Sequence, residues 1–183
     1  MKIIPTNLKG SFVIEPKVFE DKRGFFYEFF NKENFVAQTG KQIHFVQDNL
    51  AKSDKGALRG FHFQKGRHAQ AKLVSVLQGA VLDVIIDIRK NSKTFGQHFS
   101  IELNDKNKKQ LFVPRGFAHA YLCLEDDTLF YYKVDNYYHQ ESEGGILYND
   151  PELSVDWQFD LSKIILSEKD KKQPLFKEII DAI

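Results

Sequence analysis

A single cysteine, Cys123, stands in a chain of 183 residues, so no disulfide can form within it. Its setting, Tyr121-Leu-Cys-Leu124, is apolar and aromatic, which predicts a buried bystander and not a reactive thiol. An excess of either charge is also missing, because 26 Lys and Arg stand against 25 Asp and Glu. No global field gathers a polyanion or holds the chain on an anionic membrane, so neither nucleic acid nor a membrane is an expected partner. An anionic ligand would have to be met by a few placed cations, which suits a small phosphorylated molecule. No apolar run approaches the roughly 20 residues needed to span a bilayer, and the opening Met-Lys-Ile-Ile-Pro-Thr-Asn lacks the apolar stretch of a secretion signal. A cytoplasmic location is the expectation. There is no glycine-rich phosphate loop and no Gly-x-Ser-x-Gly elbow, so phosphoryl and acyl transfer find no support.

What the chain does have is aromatic and β-branched sequence. Seventeen Phe and seven Tyr are spread between turn signals such as Asp21-Lys-Arg-Gly24, Asp54-Lys-Gly56, Gln78-Gly79 and Glu143-Gly-Gly145. The spacing predicts strands near 12–19, 24–30, 43–49, 57–64, 70–77, 80–88, 97–103, 109–113, 117–124 and 128–136, too close together for helical crossovers. In the 80–88 stretch Leu82, Val84, Ile86 and Ile88 share one face while Val81, Asp83, Ile85 and Asp87 share the other, so one face carries acids among aliphatics. Helix signals are few. Asn31 can cap a short helix ending near Gly40, and the segment after Ser167 can open a C-terminal one. The charged clusters Asp105 to Lys109 and Glu168 to Lys172 read by pattern as solvated turns. One mostly β domain over 1–183 is expected, an antiparallel sandwich or barrel with a few short peripheral helices.

Two segments place ionisable residues where aliphatics would be simpler. In Leu58-Arg-Gly-Phe-His-Phe-Gln64, Arg59 and His62 lie among aromatics, where a charge is costly without a partner or a task. Strand parity puts these two on opposite faces, so a shared site needs a bulge or a strand end. Lys72 falls on one face of the next strand with Gln70, Val74 and Val76. The second segment, Pro114-Arg-Gly-Phe-Ala-His119, continues into a strand whose one face carries Phe117, His119, Tyr121 and Cys123. Its Pro-x-Gly-x-x-His spacing resembles the second half of the cupin signature, and Gly60-Phe-His62 a reduced first half. Where metal-binding cupins have His-x-His followed by Glu, this chain has His62-x-Gln64 and then Lys65, Gly66, Arg67 and His68, so no metal is expected. Tyr132 shares a strand face with Phe130 and Val134. A basic His, a Lys able to steady an oxyanion and a Tyr able to donate a proton suit chemistry at a carbon acid.

At these residues the chain resembles the dTDP-4-dehydrorhamnose 3,5-epimerase family. The likeness runs through Asp21-Lys-Arg-Gly-Phe-Phe26, Val46-Gln-Asp-Asn49, Leu58 to Gln64, Ala69-Gln-Ala-Lys72, Asp83 to Arg89, Pro114 to His119, Tyr132-Lys133, Tyr137-Tyr138, Ser142-Glu-Gly144 and Ser167-Glu-Lys-Asp170. The resemblance implies a cupin jelly-roll homodimer without metal or organic cofactor, acting on a dTDP-4-keto-6-deoxy sugar. It implies His62 as proton acceptor, Asp170 as its orienting partner, Lys72 as enolate stabiliser and Tyr132 as proton donor. Arg23, Arg59, His119 and Lys169 would serve the diphosphate and sugar, and Phe25, Glu28, Gln47, Asn49, Tyr137 and Glu143 would line the nucleotide end. Three other readings stay open: a related cupin that epimerises one centre or isomerises the 3- and 4-positions, a non-catalytic sugar-binding cupin, and a metal-dependent dioxygenase.

Overall fold

The computed structural model describes residues 1–183, the side chain of Ala182 excepted. In chain order its elements are β1 (Lys2–Pro5), β2 (Phe12–Glu15), β3 (Phe19–Asp21), β4 (Gly24–Phe26), α1 (Lys32–Thr39), β5 (Gln47–Ser53), β6 (Leu58–Gln64), β7 (Lys72–Gln78) and β8 (Ala80–Asp87). There follow β9 (His98–Asn104), β10 (Gln110–Val113), β11 (Phe117–Cys123), β12 (Thr128–Val134), β13 (Glu143–Gly145) and α2 (Phe176–Ile179). Six strands form one sheet in the order β1-β2-β10-β7-β12-β5, five form a second in the order β13-β6-β11-β8-β9, and β3 and β4 make a separate hairpin. The pairs between these strands are antiparallel. The architecture is the expected cupin-like jelly roll with short peripheral helices.

The alternation within each strand builds three apolar layers. Between the sheets lie Val74 and Val76 of β7, Val81 and Ile85 of β8, Tyr121 and Cys123 of β11, and Phe130 of β12. The other face of β8, with Leu82, Val84 and Ile86, is covered by Ile146, Leu153, Trp157 and the α2 residues Phe176 and Ile179. Every residue of β8 is therefore buried, and its two faces partition as the alternation predicts. Cys123 is buried among these groups, and burial pushes its thiol up to about 11, which makes it unreactive. Helix α1 closes the outer face of the six-stranded sheet with Phe35. Asn31 accepts the N–H of Asn34 to cap it, and Gly40 ends it at φ 67°, a left-handed turn that glycine takes without penalty.

The structure redraws several expected boundaries. The 12–19 stretch divides at Pro16, which has no N–H to give a ladder, into β2 and β3. The 24–30 strand ends at Phe26, and the 43–49 strand is shifted to Gln47–Ser53. Ile43 and Phe45 are spent instead on the apolar layer around Phe30 and Phe35, with the Phe45 ring edge-on to both. Strands β1 and β13 carry too little apolar sequence to have been anticipated. After Ser167 comes a single 3-10 turn, Asp170–Lys172, and the helix α2 waits until Phe176.

The bulge that Arg59 and His62 require is present in β6. Against β11, His119 pairs with His62 but Tyr121 pairs with Arg59, so two residues of β11 span three of β6. Gly60 sits at the irregularity with φ 128°, and a Cβ there would lie 2.5 Å from the Cβ of Ala120 and 2.6 Å from the carbonyl oxygen of His119. Only glycine lets β6 lie this close to β11 and turn both polar side chains inward. Gly60→Ala is expected to cost about 2 to 4 kcal/mol from the combined strain and overpacking, read as a fall in the urea midpoint.

Candidate active site

A cavity of about 510 Å³ opens between the two sheets, a volume suited to a small-molecule ligand. His62 and Arg59 of β6, His119 and Tyr121 of β11, Lys72 of β7 and Tyr132 of β12 line it, with Ser167, Lys169 and Asp170 from the C-terminal segment. The two sheets thus contribute opposite walls. That C-terminal segment is tied to β6 by main-chain bonds: Ile165 donates to the Gly56 carbonyl at 2.8 Å, and Leu58 donates to the Ile165 carbonyl at 3.0 Å. Five residues later the 3-10 turn carries Asp170 inward, its N–H held by Ser167 Oγ at 3.1 Å.

There His62 Nε2 meets Asp170 Oδ1 at 2.6 Å across 108 residues of sequence. The expectation that 168–172 is merely a solvated turn is therefore wrong at Asp170, which is buried because its carboxylate has an imidazole to hold. Burial alone would raise the Asp170 pKa. The hydrogen bond and charge of His62, with Ser167 and Lys169, outweigh it and keep the carboxyl below its ordinary range. A carboxylate only accepts, so His62 Nε2 carries the hydrogen and Nδ1 is left as the free base of the ring. The imidazole keeps 31% of its surface open, enough for a substrate to reach it.

Facing it, Lys72 is buried, and burial lowers its ammonium to about 8 against the opposing pull of Asp83 and Glu143. Its Nζ stands 6.0 Å from the centre of the Tyr132 ring. Burial raises the Tyr132 pKa, so the phenol keeps its proton. His119 Nε2 bonds Asp83 Oδ2 at 2.9 Å in a fully enclosed pair, and burial lowers the His119 pKa although Asp83 resists. Arg59 donates from Nε to Ser53 Oγ at 3.1 Å.

Among the described residues no three His, Cys, Asp or Glu side chains are grouped to hold a metal ion. Gln64, where a metal-binding cupin has its second His, is turned away and accepts the His139 N–H at 3.1 Å. At the rim, Lys169 is paired with Glu143, and the Tyr138 hydroxyl donates to Glu143 Oε2 at 3.0 Å. Gln47 and Asn49 bond each other at 2.8 Å on β5, where Asn49 lies in register with Tyr132, and Tyr137 is exposed beyond β12.

Seven of the expected residues, His62, Asp170, Lys72, Tyr132, Arg59, His119 and Lys169, therefore share one cavity. Arg23, Phe25 and Glu28 do not. The first two lie on the exposed β3–β4 hairpin, and Glu28 accepts hydrogen bonds from the side chains of Asn31 and Asn34 at the foot of α1. Tyr121, Ser167 and Asp83 were not singled out for the site. For Tyr121 the signal is its shared strand face with His119, and for Asp83 its place as an acid inside an aliphatic strand.

Residues 5–178 match the family model described as dTDP-4-dehydrorhamnose 3,5-epimerase. The enzyme of that name from Escherichia coli K12 is 47% identical over 180 residues, covering 98% of this chain and 97% of that protein. The crystal structure of the Elizabethkingia anophelis NUHP1 enzyme is 53% identical and superposes with a TM-score of 0.94 over 97% of each chain. The dTDP-6-deoxy-D-glucose-3,5-epimerase of Legionella pneumophila Philadelphia 1, solved in complex with dTDP-4-keto-L-rhamnose, is 45% identical with a TM-score of 0.93, covering 97% of this chain and 94% of that one. Likeness of this extent in sequence and backbone together means that the chain belongs to the dTDP-4-dehydrorhamnose 3,5-epimerase family.

Proposed function

We propose that this enzyme inverts C3 and C5 of dTDP-4-dehydro-6-deoxy-D-glucose to give dTDP-4-dehydro-L-rhamnose, without metal or organic cofactor. The observation that carries the reading is the opposition of an oriented base, His62 on Asp170, to a phenol, Tyr132, across a cavity holding a buried ammonium. A C4 ketone acidifies the hydrogens on both neighbouring carbons. His62 Nδ1 removes one of them, Lys72 stabilises the enolate oxygen, and Tyr132 returns a proton from the other face of the ring. Asp170 fixes the tautomer and favours the imidazolium once formed. Arg59, His119 and Lys169 hold the sugar and diphosphate. Binding alone needs no opposed acid and base, which speaks against a sugar-binding role without catalysis. Incubation with the substrate in heavy water, followed by NMR, tests the reading. Exchange and inversion at both carbons are expected, and inversion at one carbon alone would reassign the enzyme as a mono-epimerase.

Lys72 must be charged to meet the enolate, and burial places its titration near 8. The ammonium persists below that value and is lost as pH rises through it, so kcat/KM is expected to fall on the alkaline side with a midpoint near 8, measured as a pH–rate profile.

We further propose one domain over 1–183 that works as a homodimer in the cytoplasm. By resemblance Arg23 serves the diphosphate and sugar and Phe25 and Glu28 line the nucleotide end, yet all three sit away from the cavity of their own chain. A second copy reconciles the two if its hairpin reaches across the uncovered edge of β5. The exposed rings of Phe19, Phe25 and Phe26 and the exposed Leu50 of β5 support that contact. No described helix is long and apolar enough to cross a membrane, and the balanced charge offers nucleic acid no surface. Light scattering is expected to give twice the 21.3 kDa of one chain at micromolar concentration, and a monomer would overturn the assignment.

A further inference from the structure

A second His–Asp pair lies behind the first, and its acid has no task in the chemistry just described. Asp83 projects from the middle of β8 into the space between the sheets and is completely enclosed. One oxygen, Oδ2, holds His119 Nε2 at 2.9 Å, while Oδ1 has no hydrogen-bond partner among the described residues. A buried carboxylate with an unsatisfied oxygen is a costly thing to fold around, and a neutral side chain of the same shape would pack there more cheaply. The fold therefore does not explain the acid. Lys72, buried on the facing sheet, lines the same cavity as the His119 imidazole that Asp83 holds, and the charge of Asp83 opposes the loss of its proton.

We propose that Asp83 is a positioning residue for the epimerisation, the internal counter-ion that fixes His119 through one oxygen and holds the Lys72 ammonium in place with the field of the other. The charged and titratable groups around Lys72 come from every wall: Asp83 from β8, Glu143 from β13, His119 from β11 and Tyr132 from β12, with Arg59 and His62 of β6 and Lys169 and Asp170 of the C-terminal segment in the same cavity. Glu143 is already shared with Lys169 and the Tyr138 hydroxyl at the rim. Asp170, the other enclosed carboxylate of the cavity, is committed to His62, so Asp83 is the enclosed anion left to balance the cation on which the enolate depends. The proton that Lys72 retains stays on Lys72 throughout the cycle, and Asp83 neither takes nor gives one.

The inference rests on the epimerase reading, so its test includes a measurement that needs no turnover. The Lys72 amine in substrate-free enzyme is labelled competitively with acetic anhydride across pH, and its reactivity midpoint is compared with the alkaline midpoint of kcat/KM. In Asp83→Asn both midpoints are expected to move down together by about one unit, the effect of losing a close opposite charge. Activity at pH 8 should then fall about fivefold and recover largely near pH 6.5. A variant that loses activity equally at every pH, or whose labelling midpoint stays in place, would show that Asp83 merely packs against His119 and would overturn the proposal. Should Asp83→Asn fail to fold, Asp83→Ser is smaller, leaves room for a water on His119, and is read the same way. If the unmodified enzyme turned over no keto sugar, the epimerase reading would fail on that result alone, while the labelling midpoint would still decide whether Asp83 holds the ammonium.

Discussion

His62→Asn is expected to stop hydrogen exchange at both C3 and C5 and to lower kcat by about 10³ or more, toward the upper end of what one general base supplies. An amide nitrogen has no basic lone pair, so the proton next to the ketone has nowhere to go. The choice of Asn matters for the fold. Asp170 is buried and ionised, and an alanine at position 62 would leave that charge alone, at a cost of about 3 to 5 kcal/mol. The Asn amide falls short of the Nε2 position but keeps a polar donor that a water can link to Asp170 Oδ1, so loss of activity should come with the fold retained, checked by a thermal midpoint lowered by only a few degrees. Losing exchange at both carbons together is the informative result, because one base then serves both. If exchange persisted at one carbon, a second base would have to reach it, and His119, which pairs with His62 across β6 and β11, is the imidazole in place to do so.

How much of this was legible in the chain varies from one residue to the next. β8 could be read from its own alternation, because a strand buried on both faces must alternate two apolar sets, and its acids mark themselves by interrupting one of them. α1 could be read too, since Asn31 and Gly40 are local capping chemistry. Lys72 and Tyr132 followed from parity once their strands were placed. The start of β5 was not legible, because Ile43 and Phe45 look like strand residues and are claimed by α1 and the sheet behind it, a choice made by tertiary packing. The bulge at Gly60 was needed but not locatable, as nothing in Leu58 to Gln64 says which residue is extra. Asp170 lay furthest from reach. Its surroundings, Glu168-Lys-Asp-Lys-Lys172, are those of a solvated turn, and only the main-chain ties of Ile165 to β6 bring it under His62. Resemblance supplied that pairing, and geometry gives its physical reason. Arg23 and Phe25 on the exposed β3–β4 hairpin and Glu28 at the foot of α1 lie apart from the cavity, a placement that strand parity within one chain could not foretell.

Tyr132→Phe separates the two halves of the reaction. The phenol and His62 stand on opposite walls, so deleting the hydroxyl removes the proposed donor of the new proton and leaves intact the proposed base that takes the old one. Phe keeps the ring, and with it the packing against Phe130 at 5.9 Å and the aromatic face toward Lys72, so the fold and the enolate's cation are preserved. In heavy water the variant is expected to go on exchanging hydrogen beside the ketone, because the enolate forms and is reprotonated by the imidazolium from the face it left. Doubly inverted product should drop by about 10² or more, the effect of one missing general acid. The wild-type phenol is held protonated by burial well into the alkaline range, so its loss cannot be mimicked by raising pH, and the variant's deficit should persist unchanged from pH 6 to 8. Full production of dTDP-4-dehydro-L-rhamnose by Tyr132→Phe would make Tyr132 a wall aromatic only. The proton donor would then be sought at His119, whose imidazole lines the same cavity with Asp83 behind it.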